Sequence, residues 1–215
     1  MRIVLLGAPG SGKGTQCKNI VEQYGLLHLS SGDILRKERA EKTELGKQAQ
    51  NYMDSGALVP DDIIIKMMAK AIEKAPEEGF ILDGFPRTVN QAKELDKSMA
   101  DEGKEIDFVV NLEVDDKIIE GRITGRRSCP KCGAVYHIEN MKPKNDNMCD
   151  NDGTELVQRP DDTPEVVENR LKNYHQQTEP LVDYYKSNGT VYDFRADRDP
   201  DEVKNDIFDL LESPK

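Results

Sequence analysis

Short apolar, β-branched runs alternate with longer polar segments along this chain. The runs fall at residues 3–6, around 27–29, and at 80–82, 108–112 and 190–194. Between them, segments such as 63–74, 89–102 and 115–124 repeat their apolar positions with the period of an amphipathic helix. Short continuous strands alternating with helices predict an α/β fold with a five-stranded parallel sheet flanked by helices. Ligands of such sheets bind beyond the carboxyl ends of the strands. The last helix is expected over 200–212, with Asp199 as N-cap and Asp201 and Glu202 favouring its first turn.

Two segments break the alternation. Residues 31–59 have helical spacing without a strand, and 122–159 is long, turn-rich and carries three of the four cysteines. Both border the expected cleft, where inserted pieces act as lids or second-substrate sites. The chain therefore divides into a core (1–30, 60–121 and 160–215) and two insertions. Gly32, Gly56 and Gly121 lie near the insertion ends, either as hinges or as ordinary turn glycines.

The first strand runs into Gly7-Ala8-Pro9-Gly10-Ser11-Gly12-Lys13-Gly14-Thr15, and a helical segment follows. This is a phosphate-binding loop in its proper context. Gly10, Gly12 and Gly14 let the backbone curl so that its N–H groups, with those of Ser11 and Thr15, point at phosphate oxygens. The helix adds the positive end of its dipole, and Lys13 adds a mobile charge for the outer phosphates of a nucleotide. Gly14 separates Lys13 from Thr15, whereas the usual pattern puts the magnesium-contacting hydroxyl directly after the lysine.

Cys129-Pro130-Lys131-Cys132-Gly133 is a metal knuckle, and Cys149 and Asp152 repeat its spacing further on. Two such pairs suit tetrahedral, structural Zn²⁺. Asp152 is the expected fourth ligand, with His137 and Asp150 as alternatives. Cys17 stands alone on the first helix as a small core residue.

The arginines cluster. Arg87 follows Asp83-Gly84-Phe85-Pro86; Arg122, Arg126 and Arg127 open the second insertion; Arg159 closes it and Arg170 follows. Folded over the cleft, they converge on phosphates held by the loop. Phosphoryl transfer asks mainly for positioning and charge neutralisation. Asp161 and Asp162 either brace these arginines or cap the next helix. Asp83 is placed to hold a magnesium-bound water, or else to make an Asp-Gly turn.

With 215 residues, the chain has room for one sizeable core. Its net charge of −11 argues against a broad nucleic-acid-binding surface. It has no apolar stretch of membrane-spanning length and no signal peptide ahead of the first strand, so a cytoplasmic location is expected.

At this point the chain resembles the adenylate kinase family over nearly its whole length. The matching features are the loop at 7–15, Ser30-Ser31-Gly32-Asp33-Ile34-Leu35-Arg36, Glu44-Leu45-Gly46, Asp83-Gly84-Phe85-Pro86-Arg87-Thr88, Gln91, Gly125-Arg126-Arg127, the cysteine cluster, and Arg159-Pro160-Asp161-Asp162-Thr163. The segment 83–88 is highly specific for nucleoside monophosphate kinases. The cysteine-bearing insertion looks like the zinc-bearing, β-rich lid of some bacterial members.

The resemblance implies a P-loop nucleoside monophosphate kinase fold and the reversible reaction of Mg·ATP with AMP to give two ADP. It implies an AMP-binding insertion at 31–59 and a lid at 122–159. Lys13 and the loop amides would hold ATP, and Arg122, Arg126, Arg159 and Arg170 would surround the phosphates, Arg122 near the ATP adenine. Arg36 and Arg87 would hold the AMP phosphate. Ser31, Gly84 and Gln91 would complete the AMP site, Gln91 reading the base. Ser31 stands where the family often has threonine. Asp83 would orient hydrated Mg²⁺. A monomer is expected, since two flaps must move. The rival readings are a kinase for another monophosphate, a zinc module that binds nucleic acid, and a regulatory NTPase.

Overall fold

The computed structural model describes residues 1–213. In chain order its elements are β1 (Arg2–Gly7), α1 (Lys13–Tyr24), β2 (Leu27–Ser30), α2 (Ser31–Ala40), α3 (Glu44–Ser55), α4 (Asp61–Ile72), β3 (Phe80–Asp83), α5 (Val89–Asp101), β4 (Phe108–Glu113) and α6 (Asp116–Thr124). There follow β5 (Arg126–Ser128), β6 (Val135–His137), α7 (Pro164–Asn173), a π-helical turn (Tyr174–Thr178), α8 (Pro180–Lys186), β7 (Val191–Arg195) and α9 (Pro200–Glu212).

The large sheet has the order β2-β3-β1-β4-β7, and every neighbouring pair is parallel. β1 and β4 are buried along most of their length because helices cover both faces. Alternate residues feed two cores. Val4, Leu6, Leu82 and Val109 pack with Ile64, Met68, Leu95, Met99 and Leu181 from α4, α5 and α8. Ile3, Leu5, Ile81 and Val110 pack with Cys17, Ile20, Val203 and Ile207 from α1 and α9. Burying each large apolar side chain contributes about 1.5–3 kcal/mol.

The connection after β1 leads to one edge of the sheet, and the connection after β3 leads to the other side of β1. The crevice at the carboxyl ends of these two neighbours is therefore the switch point where a ligand belongs. The glycine loop and the Asp83–Arg87 turn both open there.

Element ends agree with the sequence pattern to within about two residues. The Asp199 carboxylate caps α9 by accepting from Asp201 N. Gly121 lies inside α6 rather than at a turn, and Gly56 ends α3 at φ 72°. Beyond α6, β5 and β6 make an antiparallel pair, extended by single bridges such as Ser128 to Val157. Among the described residues, no helix is long and apolar enough to cross a membrane.

Candidate functional site

Gly12 starts the site. It precedes α1 at φ 100°, a left-handed conformation that favours glycine, and so turns the following N–H groups toward the cleft. Gly10 and Ser11 lie in the loop; Lys13, Gly14 and Thr15 form the first turn of α1. Lys13 Nζ donates to the carbonyls of Gly7 and Ala8 at 2.7 and 2.8 Å, which folds its ammonium back over the loop. The Ser11 hydroxyl is buried and has no partner among the described residues. A buried orphan hydroxyl beside inward-facing amides is the donor set that a phosphate satisfies.

Arg87 hangs from the turn after β3. Its Nε donates to Gly84 O at 2.8 Å, and Thr178 Oγ1 donates to Arg87 O at 2.9 Å. Ser31 Oγ donates to the same Gly84 carbonyl at 2.6 Å, so β3 and the start of α2 are tied together. Arg36, one turn along α2, donates to Asp33 at 2.5 Å. Gln91 is buried in the first turn of α5. A cleft lined by Ser31, Arg36, Gly84, Arg87, Gln91 and Arg170 joins these pieces.

Asp161 and Asp162 brace the arginines. Arg126 makes a two-pronged pair with the fully buried Asp162 through Nε and Nη2. Arg170 Nη1 lies 3.0 Å from Asp161 and 3.7 Å from Asp162. The helix cap is Thr163 instead, whose side chain accepts from Val166 N. Arg159 Nε donates to Ser128 Oγ at 2.9 Å. α7 also joins the other insertion to the cleft, since Asn169 and Asn173 donate to the carbonyls of Ser55 and Gly56.

The electrostatics report a crowd of cations. Burial lowers Lys13 to about 8; Asp83 opposes that fall, and the charges of Arg87, Arg170 and Arg126 add to it. Arg159 is lowered to about 10 by burial and by Arg36 and Arg126. Arg170 is lowered to about 10 by burial, with Arg126 and Arg87 adding to the effect against Asp161. Arg87 is lowered as well, chiefly by burial. An anion among these groups would favour their charged forms.

Arg122 lies apart from this ring. Its Nη2 donates to Ala196 O at 3.0 Å beyond the end of β7, near Asp197. Asp83, at the end of β3, pairs with His28 at 3.6 Å. Burial alone would raise its carboxyl, but the His28 hydrogen bond and Lys13 reverse that and hold it below its ordinary range.

Cys129, Cys132, Cys149 and Asp152 each offer a ligand atom, and all four atoms lie within 4.8 Å of one another. Cys129 Sγ is 3.5 Å from Asp152 Oδ1, and Cys132 Sγ is 3.5 Å from Cys149 Sγ. These are edge lengths of a zinc-centred tetrahedron, roughly 3.3–3.8 Å for ligands at about 2.0–2.3 Å. The cysteines form no disulfide. The alternatives face elsewhere: His137 meets Gly121 O, and Asp150 accepts from Lys144 N. The residues present fit a Cys₃Asp metal site.

Three groups at the site carry no local motif: Asp61, which binds Gln91; Asp33, which binds Arg36; and His28, which binds Asp83. Asp61 and His28 reach their partners through the fold, whereas Asp33 and Arg36 are i,i+3 neighbours along α2.

The family model for adenylate kinase matches residues 5–190. An adenylate kinase of Archaeoglobus fulgidus is 47% identical over 216 residues, covering 100% of both chains. One from Staphylococcus epidermidis is 45% identical over 213 residues, 99% of each chain. One from Caldanaerobacter subterraneus subsp. tengcongensis is 47% identical over 212 residues, 98% of this chain and 96% of its own.

Proposed function

Since the chain belongs to the adenylate kinase family and catalyses reversible phosphoryl transfer from ATP to AMP, we propose that its buried cationic ring is the transfer site. The observation that carries this reading is the gathering of Lys13, Arg87, Arg159 and Arg170 about one cleft, where burial above all lowers each of them. Two nucleotides bring the missing negative charge, and their own repulsion is cancelled in the same act.

Lys13 and the amides from Gly10 to Thr15 hold the ATP phosphates, with Ser11 donating its free hydroxyl. Arg122 lies against the ATP adenine at the Ala196 side. Arg36 and Arg87 hold the AMP phosphate, while Ser31, Gly84 and Gln91 frame its nucleoside. Arg126, Arg159 and Arg170 cover the phosphoryl group in flight. An AMP phosphate oxygen attacks the γ-phosphorus; the new P–O bond forms as the bond to the β–γ bridging oxygen breaks, and ADP leaves on each side. The attacking phosphate is already an anion, so no side chain is needed as a base. Mg²⁺ accompanies ATP in this family and neutralises phosphate oxygens when bound; the ionised Asp83 would orient its water shell.

Residues 31–59 and 122–159 act as two flaps on the core formed by 1–30, 60–121 and 160–215. Their closure excludes water, which would otherwise accept the phosphoryl group. The Cys129–Cys132–Cys149–Asp152 cluster holds structural Zn²⁺ in the second flap. A cytoplasmic monomer suits a chain whose two flaps must swing freely. Mixing the enzyme with Mg·ATP and each nucleoside monophosphate in turn, and following ADP, tests the assignment. AMP is expected to be the preferred acceptor, and equal rates with UMP or CMP would overturn the adenine site.

A further inference from the structure

A second set of metal-ligating side chains lies beneath the phosphate loop, away from the lid. Cys17 on α1, His28 on β2 and Asp83 at the end of β3 each offer one ligand atom, and the three atoms lie within 4.8 Å of one another. The topology explains their meeting. β2 and β3 are parallel neighbours with His28 opposite Ile81 and Ser30 opposite Asp83. Strand residues two apart share a face, so His28 and Asp83 lie on the same one. α1 covers that face, and Cys17 packs in one core with Ile81. Cys17 also stands one helical turn beyond Lys13, on the same side of α1.

The donor set is selective. A thiolate, an imidazole and a carboxylate suit zinc and its thiophilic neighbours, whereas magnesium and calcium take oxygen ligands. His28 Nε2 lies 3.6 Å from Asp83 Oδ2, a separation that two ligands of one tetrahedral ion adopt at roughly 3.3–3.8 Å. β2 is the edge strand of the sheet, and the His28 side chain is 33% exposed, so an ion can enter past it from solvent. Water can take the fourth position. Cys17 is fully buried, its thiol held within the core, and the transfer proposed above does not use it.

We propose that Cys17, His28 and Asp83 form an inhibitory site for a thiophilic divalent cation of the zinc class. Binding forms one bond each to Sγ, Nε2 and a carboxylate oxygen. The thiol proton leaves to solvent, and the ion sheds part of its water shell. The captured Asp83 carboxylate is then lost to the magnesium-bearing side of the cleft. The inhibitory half of this inference rests on the role proposed above for Asp83.

The test is a titration of the zinc-loaded protein with Cd²⁺, in excess Mg·ATP and AMP, that follows ADP formation. Equilibrium dialysis without nucleotide counts the bound metal in parallel. The wild type is expected to bind a second ion and to lose at least roughly tenfold in rate, the scale on which disturbed outer-shell groups act. Cys17→Ala, at a residue with no part in the proposed transfer, is expected to keep basal activity and the lid metal. It is also expected to lose the second ion and the inhibition. Exchange of the lid zinc for cadmium would be equal in both proteins. One ion per chain in the wild type would overturn the site and leave Asp83's role standing. A second ion bound at this triad without loss of rate would overturn both the inhibition and that role.

Discussion

Asp61 holds Gln91 in place. Gln91 Nε2 donates to Asp61 Oδ1 at 2.7 Å, and Gln91 Oε1 accepts from Arg87 N at 2.7 Å. Each end of the amide therefore keeps only its remaining donor or acceptor for a base, and the amide cannot flip. Thr88 Oγ1 and Asn90 Nδ2 donate to the other Asp61 oxygen at 3.0 and 2.9 Å. One carboxylate on α4 thus fixes the whole N-terminus of α5. Asp61→Ala removes the acceptor for three donors. The AMP KM is expected to rise roughly tenfold, about 1.4 kcal/mol, with less change in the ATP KM. Steady-state kinetics with each substrate varied will check it.

Arg87 is proposed above as an AMP-phosphate ligand, and its backbone N–H carries the Gln91 contact. Arg87→Ala leaves that backbone bond intact and removes only the guanidinium. Charge-assisted bonds of this kind are worth ~1.5–3 kcal/mol. The AMP KM is expected to rise, or turnover to fall, by at least roughly tenfold in a coupled assay. Wild-type kinetics would remove Arg87 from the site.

The lowered Lys13 makes nucleotide binding proton-linked. Burial pushes its ammonium down to about 8, well below the ordinary lysine range. The folded state thus holds this proton less tightly than the unfolded chain, and this group's effect on stability becomes more favourable as pH rises from about 8 toward the ordinary lysine range. A bound polyphosphate favours the charged form and pulls the proton back. Calorimetric titration with ATP at pH 8 is expected to show proton uptake through a buffer-dependent enthalpy, which vanishes at pH 6. Lys13→Arg should abolish the uptake, and Lys13→Met should nearly abolish turnover.

Zinc removal should loosen the lid, because ligand deprotonation and folding are coupled to metal binding. One zinc per chain is expected in the purified protein. A chelator is expected to lower Tm by at least roughly 5 °C, an effect of about 1–2 kcal/mol for a chain of this size. Turnover at low temperature should survive, since no cysteine of the lid touches a nucleotide phosphate in the proposed reaction. Asp152→Ala should weaken zinc retention, and Asp152→Cys should preserve it.

Much of this protein is written in local pattern. Apolar runs gave the five strands, three-to-four periodicity gave α4, α5 and α6, and the Asp199 cap with its acidic first turn gave α9, because burial on both faces or on one stripe imposes those periods and a helix start exposes N–H groups. The nine residues of the loop declared phosphate binding, since curled amides and a lysine need only short-range order. The Cys-x-x-Cys knuckle was visible for the same reason. Asp161 and Asp162 were not resolved by spacing, because a carboxylate before a helix serves equally as cap or as brace. Their partners decided it: Arg126 approaches from β5 and Arg170 from α7.

The chain alone determined what is contiguous: the elements, the loop chemistry, the candidate metal knuckle and the family resemblance. Only the tertiary structure decided which distant groups meet. Asp61 reaches Gln91 across 30 positions, and Cys17, His28 and Asp83 converge from a helix and two strands. The reason is physical. Local patterns follow from the backbone's fixed periods, whereas a side chain's partners depend on strand order and helix packing, which the whole core settles at once.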